Sequence, residues 1–335
     1  MSEALTATAF WTTGPGQGAI HGETLRRPGP GEVLVRTLAS GISRGTERLV
    51  FHGRVPEGEW ARMRAPLQGG DFPFPVKYGY AAVGLVEDGP VDWLGGRVFC
   101  LHPHQDRFVA PVHLCARVPD NVPEWRAVLA ANMETALNVI WDAQPMAGER
   151  ALVVGAGVVG LLCAWLLSRF PAIDLAIADP DPLRAAVAKS LGLRLVAPEA
   201  APGARDLVIH ASGNPEGLRT ALRCAGFEAR ILEASWFGDK ECNLPLGGAF
   251  HAGRVTIRST QVGQIAAPMR GRRSHGERMA LALRLLSDPV LDALCGPMVG
   301  FRDLPRAMAG LLGDPPDGQP APLCPIVTYD GDTEE

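Results

Sequence analysis

The stretch from Arg150 to Pro180 reads RALVVGAGVVGLLCAWLLSRFPAIDLAIADP and has the pattern of a strand, a glycine-rich turn, a helix and a second strand. Four apolar residues, 151–154, lead directly into the segment GAGVVG, and apolar residues then recur at helical spacing. Glycines suit such a turn because they permit a tight bend, a close approach of the backbone to a pyrophosphate, and close packing of helix on strand. Free N–H groups at the start of the helix would bind the phosphates. The pattern predicts a dinucleotide-binding unit whose contacts are made by Gly155, Gly157, Val158, Val159 and Gly160.

The second apolar run of this stretch ends in Asp179, which lies 19 positions after Gly160. A carboxylate at this place accepts hydrogen bonds from ribose hydroxyls and repels a 2′-phosphate, so we expect NAD as the cofactor and NADP as the less favoured one. A membrane span is the main alternative, because residues 151–168 carry no charge. The three glycines and the acid-terminated strand favour a buried strand and a buried helix instead, and no membrane association is expected.

Composition sets the class of protein. A chain of 335 residues can form two domains, and 47% apolar with 20% charged residues is typical of a globular protein. The formal charge is −4 and there is no basic block, so nucleic acid is not an expected partner. The first residues, MSEALTATAFW, lack the basic segment of a signal peptide. Seven dispersed cysteines without a CxxC pair predict reduced thiols in a cytoplasmic protein.

The order of predicted elements indicates two domains. Residues 1–120 alternate short β-like runs with Gly/Pro turns, which predicts a small barrel or sandwich. From residue 150 onward strands alternate with helices, which predicts an α/β domain with a doubly wound parallel sheet. The C-terminal part is expected to return to the first domain. We therefore place the first domain at residues 1–145 with a return at 290–335, and the nucleotide-binding domain at 146–289.

Three segments resemble the medium-chain dehydrogenase/reductase family, to which alcohol and threonine dehydrogenases belong. They are GPGEVLV at 29–35, ASGIS at 39–43 and PVKYGYAAVG at 75–84, and they precede the glycine unit in the family's order. The similarity extends over nearly the whole chain. It implies a GroES-like β-barrel catalytic domain joined to a Rossmann domain. It also implies a homodimer that pairs through the last strand of the Rossmann sheet, near residues 255–260.

The chain departs from this family at the zinc ligands. Zinc-dependent members have a cysteine where Ser43 stands and a His-Glu pair where Tyr80 and Ala81 stand. A third ligand would fall near residues 131–134, where only Glu134 could serve, and the four cysteines of the structural zinc loop have no counterpart. Zinc prefers thiolate and imidazole ligands, so we expect a protein without zinc.

Other side chains must then handle the proton of the substrate alcohol. By the resemblance, Ser43, Thr46 and Glu47 lie where relatives place metal and proton-relay residues, although Ser and Thr could equally cap a helix that starts near Glu47. Tyr80 could transfer a proton if Lys77 or the charge of the nicotinamide lowered the pKa of its phenol, or it could simply pack in the fold.

Two histidines in CLHPHQD, His102 and His104, would lie on one face of a strand and form an acid–base pair. The alternatives are a polar turn whose histidines bond to nearby backbone, or a metal site completed by His52. On the cofactor side we expect Thr135, Ser212 and Trp236, of which the last could instead be a core residue.

The sequence thus predicts a zinc-independent, NAD-dependent alcohol dehydrogenase/reductase that transfers a hydride between nicotinamide and a small secondary alcohol or carbonyl. The segment Ser-Arg-Gly-Thr-Glu also resembles the family branch that contains bacteriochlorophyllide dehydrogenase, which oxidises a hydroxyethyl side chain. One alternative is a catalytically silent NAD(P)-binding sensor or scaffold, since the lost ligands are compatible with lost catalysis. Another is a quinone or enone reductase, although the Asn-Pro-x-Asp pattern of those enzymes is absent.

Overall fold

The structure, a computed structural model, describes residues 5–316 and 318–329. Tertiary contacts divide the chain into two compact units. Unit 1 is formed from residues within 1–131, 279–315 and 321–335, and unit 2 from residues within 132–278 and 316–320. The boundaries predicted from sequence, 145/146 and 289/290, lie C-terminal to the divisions at 131/132 and 278/279. In each case a helix, residues 130–143 or 275–285, extends across the division and ends before the predicted boundary.

Unit 1 is built mainly of antiparallel strands in its N-terminal part. Period-2 alternation of apolar residues lets each strand bury one face, and the apolar residues of β3 and β6 fill one core of the unit. The elements are β1 (Leu5–Gly14), β2 (Gln17–Leu25), β3 (Glu32–Gly41), α1 (Arg44–Phe51), β4 (Gly69–Gly70), β5 (Val76–Lys77), β6 (Ala82–Asp88), β7 (Arg97–Cys100), β8 (Arg107–Pro111), β9 (Cys115–Arg117) and α2 (Glu124–Ala127).

Unit 2 is a six-stranded parallel sheet covered by helices. Its strand order is β12-β11-β10-β13-β14-β15, and every pairing is parallel, so the predicted doubly wound α/β architecture is confirmed. The elements are α3 (Ala130–Ala143), β10 (Arg150–Val154), α4 (Val158–Leu167), β11 (Asp174–Ala178), α5 (Arg184–Ser190), β12 (Leu195–Val196), β13 (Arg205–His210), α6 (Pro215–Cys224), β14 (Ala225–Glu233), β15 (Thr256–Ser259) and α7 (His275–Leu285), of which α3 and α7 cross the division between the units.

The uncharged stretch at 151–168 is a buried strand followed by a buried helix. Residues 151–154 of β10 are buried, as expected for a central parallel strand with both faces covered. Helix α4 has ten residues and is buried from Gly160 to Leu167. No helix in the described part of the chain has both the length and the apolar character needed to cross a membrane.

The C-terminal segment returns to unit 1 as β16 (Cys295–Gly300), α8 (Leu304–Leu312) and β17 (Cys324–Thr328). Strand β17 pairs with β3 in a seven-stranded sheet of order β16-β17-β3-β6-β7-β9, in which β8 also pairs with β3. A second sheet of unit 1 has the order β2-β1-β5-β4. Strand β2 was not predicted, because none of the residues of QGAIHGETL is buried and the segment shows little alternation. Its pairing with β1 over a nine-residue register is a tertiary feature.

Candidate functional site

The glycine-rich turn between β10 and α4 has the geometry that a dinucleotide requires. Gly155 has φ +108°, and its N–H donates to the Ala178 carbonyl at 2.8 Å. A Cβ on Gly160 would overlap the Gly155 carbonyl oxygen, so only glycine lets α4 pack against the turn. Around Gly157, in contrast, an added Cβ would meet no described atom within 4 Å. The turn is therefore closed on its protein side and open where a pyrophosphate can approach.

The first turn of α4 and Asp179 complete this part of the site. Gly157 is the N-cap residue, and Val158 and Val159 open the helix and are partly exposed. The Asp179 carboxylate accepts from the Ala156 N–H at 2.6 Å and from the Asp181 N–H at 2.9 Å. These bonds fix the carboxylate beside the turn, and each oxygen keeps a lone pair for a ribose hydroxyl. The residues present fit an adenine dinucleotide.

The other residues predicted on the cofactor side have different surroundings. Ser212 follows β13 and adjoins the turn, because a Cβ on Gly155 would lie 2.8 Å from the Ser212 nitrogen. Thr135 lies in α3, and Trp236 lies three residues beyond the end of β14; both are partly exposed. The structure thus brings Ser212 to the glycine turn, while the cofactor roles of Thr135 and Trp236 stay predictions.

Unit 1 contains a continuous chain of hydrogen bonds, which we call the polar chain: Ser43, Glu47, His104, Ser40 and Tyr329. The Ser43 N–H donates to Glu47 Oε1 at 2.7 Å, and Glu47 Oε2 lies 3.0 Å from His104 Nε2. His104 Nδ1 lies 2.7 Å from Ser40 Oγ, which lies 2.8 Å from the Tyr329 hydroxyl. His104, Glu47 and Ser40 are 1%, 3% and 0% exposed, so these bonds form away from solvent.

The partners of His104 determine its tautomer. Because Nε2 faces a carboxylate, it carries the hydrogen, and Nδ1 then accepts from the Ser40 hydroxyl, whose oxygen accepts from Tyr329. Burial raises the pKa of Tyr329, which keeps its phenol a donor. Tyr329 lines a cavity of about 340 Å³ in unit 1, together with Thr8, Arg36, Thr37, Asp106, Arg107 and Arg302.

Tyr80 lies between β5 and β6 and is partly exposed. Burial and then the Glu47 charge raise the pKa of Tyr80 to about 12, and hydrogen bonds with the Ser43 and Thr46 side chains oppose this rise. The predicted lowering of this pKa by Lys77 is wrong. Lys77 Nζ is instead held by Glu23 Oε2 at 2.7 Å and Gln105 Oε1 at 2.8 Å. The Tyr80 phenol therefore keeps its proton at neutral pH.

Ser43 is the N-cap residue of α1, but its side chain makes no capping bond to that helix. The Ser43 backbone N–H instead donates to the Glu47 carboxylate in the first turn of α1, which resembles the second half of a capping box. The expected capping of a helix near Glu47 by Ser or Thr side chains is therefore wrong, because α1 begins at Arg44 and Thr46 lies inside it. The Ser43 and Thr46 side chains hydrogen-bond with Tyr80 instead.

The two predicted catalytic histidines do not act as a pair. His102 stacks on Phe108 with ring centroids 3.8 Å apart, and its Nδ1 lies 3.0 Å from the Pro103 carbonyl oxygen. Burial lowers the pKa of His102 to about 3, so the ring is neutral and packs in the core. The alternative of a histidine bonded to nearby backbone is the correct one for His102. Only His104 joins the polar chain.

The residues at the family's zinc positions do not fit a zinc ion. Ser43, Tyr80 and Ala81 offer two hydroxyls and a methyl group, which are poor ligands or none. Glu134 Oε1 is already bonded to Arg278 Nε at 3.0 Å, and both side chains are buried in unit 2. Within residues 5–316 and 318–329, no group of three His, Cys, Asp or Glu side chains could hold a metal.

Sequence reasoning missed Ser40 and Tyr329 in unit 1, and a pair formed by His210 and Glu233 in unit 2. Ser40 Oγ and the Tyr329 hydroxyl are hydrogen-bonded although 289 positions separate them. The only local signal was a polar residue at a buried position of β3, where Ser40 has 0% exposure. Tyr329 gave no signal, because its position depends on the pairing of β17 with β3.

Comparison with known proteins gives a consistent result. No family model matches the chain. It is 31% identical over 232 residues to an L-threonine 3-dehydrogenase of Mesorhizobium japonicum, covering 59% of this chain and 63% of the relative. It is 30% identical over 179 residues to the 2-desacetyl-2-hydroxyethyl bacteriochlorophyllide A dehydrogenase of Cereibacter sphaeroides, covering 48% and 52%. An uncharacterized zinc-type alcohol dehydrogenase-like protein of Haemophilus influenzae is 30% identical over 138 residues, covering 38% and 40%. The matches therefore span less than two thirds of these curated relatives.

The fold is shared over nearly the full length with solved structures. An L-idonate 5-dehydrogenase of Escherichia coli has a TM-score of 0.78 at 14% identity and covers 98% of this chain and 99% of its own. An alcohol dehydrogenase of Escherichia coli complexed with NADH has a TM-score of 0.76 at 18% identity, covering 97% and 99%.

Fold and site together define a two-unit protein with a GroES-like unit and a Rossmann unit that carries a dinucleotide fingerprint. With the sequence similarity to zinc-type alcohol and threonine dehydrogenases, the predicted resemblance to the medium-chain dehydrogenase/reductase family is confirmed.

Proposed function

We propose that this protein is a zinc-independent oxidoreductase that transfers a hydride between NAD(H) and a secondary alcohol or carbonyl compound. The observation that carries the proposal is a retained dinucleotide turn in unit 2 combined with a polar chain in unit 1 where zinc-type relatives have metal ligands. The names of the relatives, threonine and bacteriochlorophyllide dehydrogenases, support an alcohol substrate.

The preference for NAD over NADP is proposed from charge. Asp179 stands beside the turn and Asp181 follows two residues later, so a 2′-phosphate would meet two carboxylates. Arg184, which is 8% exposed, lies 3.5 Å from the Asp181 carboxylate and is engaged there. Solved relatives hold NADH in one case and NADP in another. We expect Asp179→Ser to lower the kcat/KM for NAD relative to that for NADP. The change should correspond to about 1–3 kcal/mol, on the scale of one charged hydrogen bond.

The cofactor, when bound, would supply or accept the hydride. The protonated Tyr80 phenol would donate a hydrogen bond, and then the proton, to the oxygen of a carbonyl substrate. Ser43 and Thr46 hold this phenol, and Glu47 fixes Ser43 while its charge keeps Tyr80 protonated. In alcohol oxidation Tyr80 would have to take up a proton, and a tyrosinate with a pKa of about 12 is scarce at neutral pH.

The test is a turnover assay with a binding control. Purified protein is mixed with NADH and a panel of ketones, and with NAD and secondary alcohols that include a hydroxyethyl tetrapyrrole, while the absorbance of reduced nicotinamide is followed. We expect turnover in wild type and a loss of about 10²–10⁴ in kcat for Tyr80→Phe, with unchanged NADH binding by calorimetry. Stoichiometric zinc by elemental analysis would refute the zinc-independent part.

A second candidate is a cofactor-binding sensor, favoured by the same loss of zinc ligands at Ser43, Tyr80 and Ala81. Tight NADH binding without turnover over the whole panel is the outcome that this candidate predicts. This outcome would overturn the oxidoreductase proposal but would still support the dinucleotide-binding site.

Assembly and location are also proposals. Strand β15 is an edge of the unit 2 sheet and three of its four residues are exposed, so it can pair with the same strand of a second copy. Light scattering of the purified protein is expected to give the mass of a homodimer. All seven cysteines are free thiols, which supports a reducing, cytoplasmic location.

A further inference from the structure

Unit 2 contains a second constellation of reactive side chains at the carboxyl ends of β13 and β14: Ser212, His210 and Glu233. Ser212 Oγ lies 2.6 Å from His210 Nε2, and His210 Nδ1 lies 2.6 Å from Glu233 Oε2. The arrangement follows from the parallel register, which pairs His210 with Glu233 on neighbouring strands. Ser212 lies two residues beyond His210, in the bend that follows β13.

The chemistry of these contacts is that of a serine nucleophile with its base and orienting acid. Glu233 fixes the hydrogen on Nδ1, so Nε2 is left to accept the hydroxyl proton of Ser212. His210 is fully buried and the Glu233 side chain is 13% exposed, whereas Ser212 is exposed. A buried base behind an exposed hydroxyl is the arrangement required of an activated nucleophile.

Neighbouring groups support the same role. The Ser235 N–H donates to Glu233 Oε1 at 2.8 Å and holds the carboxylate toward His210. The Asn214 N–H donates to Ser212 Oγ at 3.2 Å, which favours negative charge on that oxygen. A Cβ on Gly217 would overlap Ser212 Oγ and lie 2.7 Å from His210 Nε2, so only glycine lets the first turn of α6 lie against the pair. The positive end of the α6 dipole is thereby placed beside the hydroxyl.

We propose that Ser212 is the nucleophile of a second activity, the hydrolysis of small activated carboxylic esters. Ser212 Oγ forms a bond to the ester carbonyl carbon as its proton passes to His210 Nε2. The bond to the leaving alcohol then breaks, and that alcohol takes the proton. Water repeats both steps on the acylated serine, releases the carboxylic acid and restores the hydroxyl. Since Ser212 adjoins the glycine turn at Gly155, this activity belongs to the protein without bound dinucleotide.

The experiment uses the full chain without cofactor and a fluorophosphonate as probe. In the modification, Ser212 Oγ forms a bond to phosphorus, fluoride leaves, and the proton passes through His210 to water. We expect one adduct per chain by intact-mass spectrometry, located at Ser212 by peptide mapping, and release of nitrophenol from nitrophenyl acetate. Ser212→Ala should abolish both signals. Ser190→Ala is the matched control, because the Ser190 hydroxyl donates to the Val187 carbonyl in the same unit.

The relay is tested separately from the serine. His210→Gln and Glu233→Gln should each slow modification about 100-fold or more, since both partners act through the same proton. Thermal melting establishes that each variant is folded. If the buried His210 variant does not fold, Glu233→Gln alone decides the result. An unmodified wild-type Ser212, or equal rates in the wild type and a folded variant, would overturn the proposal. Because no cofactor is present, these outcomes are independent of whether the protein is an oxidoreductase.

Discussion

The glycine turn of unit 2 and the polar chain of unit 1 are encoded on different scales of the sequence. The turn occupies residues 155–160, and its function depends on backbone conformation and on the absence of side chains. The polar chain joins residues that are up to 289 positions apart and that come from β3, α1 and the segments around β8 and β17. The difference teaches that a ligand site made from backbone can be predicted from a short segment of sequence. A site made from side chains cannot, because it depends on strand pairing.

The largest effect is expected from breaking the turn. In Gly160→Ala the new methyl group would overlap the Gly155 carbonyl oxygen, so β10 and α4 must separate. We expect a loss of about 3 kcal/mol or more in the free energy of unfolding, on the scale of a severe overpacking change, and loss of NADH binding. Urea unfolding and calorimetry measure the two quantities.

Gly157→Ala is the matched control within the same turn. Its methyl group would meet no described atom within 4 Å, so the free energy of unfolding should change by less than about 1 kcal/mol, the scale of helix-terminal propensity effects. Cofactor affinity should nevertheless fall, because the methyl group occupies the open side of the turn. Equal destabilisation by the two variants would refute the distinction between the closed and the open side.

The next effect concerns the polar chain. In Glu47→Gln the size of the side chain is kept while the charge and one of the two acceptor oxygens are lost, so the pKa of Tyr80 should fall from about 12. The high-pH limit of carbonyl reduction, where Tyr80 loses its proton, should therefore move to lower pH, and kcat should drop about 10–100-fold as for a weakened general acid. The pH profile of NADH oxidation is the measurement. Glu59→Gln, on a partly exposed carboxylate that pairs with Arg62, should leave the profile unchanged. An unmoved profile in folded Glu47→Gln would show that Glu47 has no influence on Tyr80.

The last effect is a pH dependence of stability that separates His102 from His104. The folded-state pKa of His102 is about 3, below the ordinary value of 6.5, so the neutral ring stabilises the fold above pH 6.5 and this stability is lost as the pH falls toward 3. The loss should amount to about 1.4 kcal/mol per pH unit in that window. His102→Gln should flatten the dependence between pH 6 and pH 4 in urea unfolding, while the exposed His21→Gln should not. An unchanged slope in His102→Gln would contradict the buried, neutral state of this ring.

Much of the fold was predictable because its signals are local. The strand-turn-helix at 150–180, the alternation of strands and helices, and the strands near β3 and β8 follow from apolar periodicity and glycine positions. Strand β2 was not predictable, since none of its residues is buried and its strand conformation depends on pairing with β1. The two histidines at 102 and 104 share a sequence context, yet one stacks on Phe108 and the other joins Glu47.

The sequence by itself determined the dinucleotide turn, the acid at position 179 and the doubly wound sheet, because each is a matter of which residue type stands at a fixed spacing. The tertiary structure alone decided that burial raises the pKa of Tyr80, that His104 rather than His102 is hydrogen-bonded to Glu47, and that His210 lies between Ser212 and Glu233. The physical reason is that pKa values and hydrogen-bond partners depend on burial and on distances of about 3 Å, and these are set by strands that are remote in the chain.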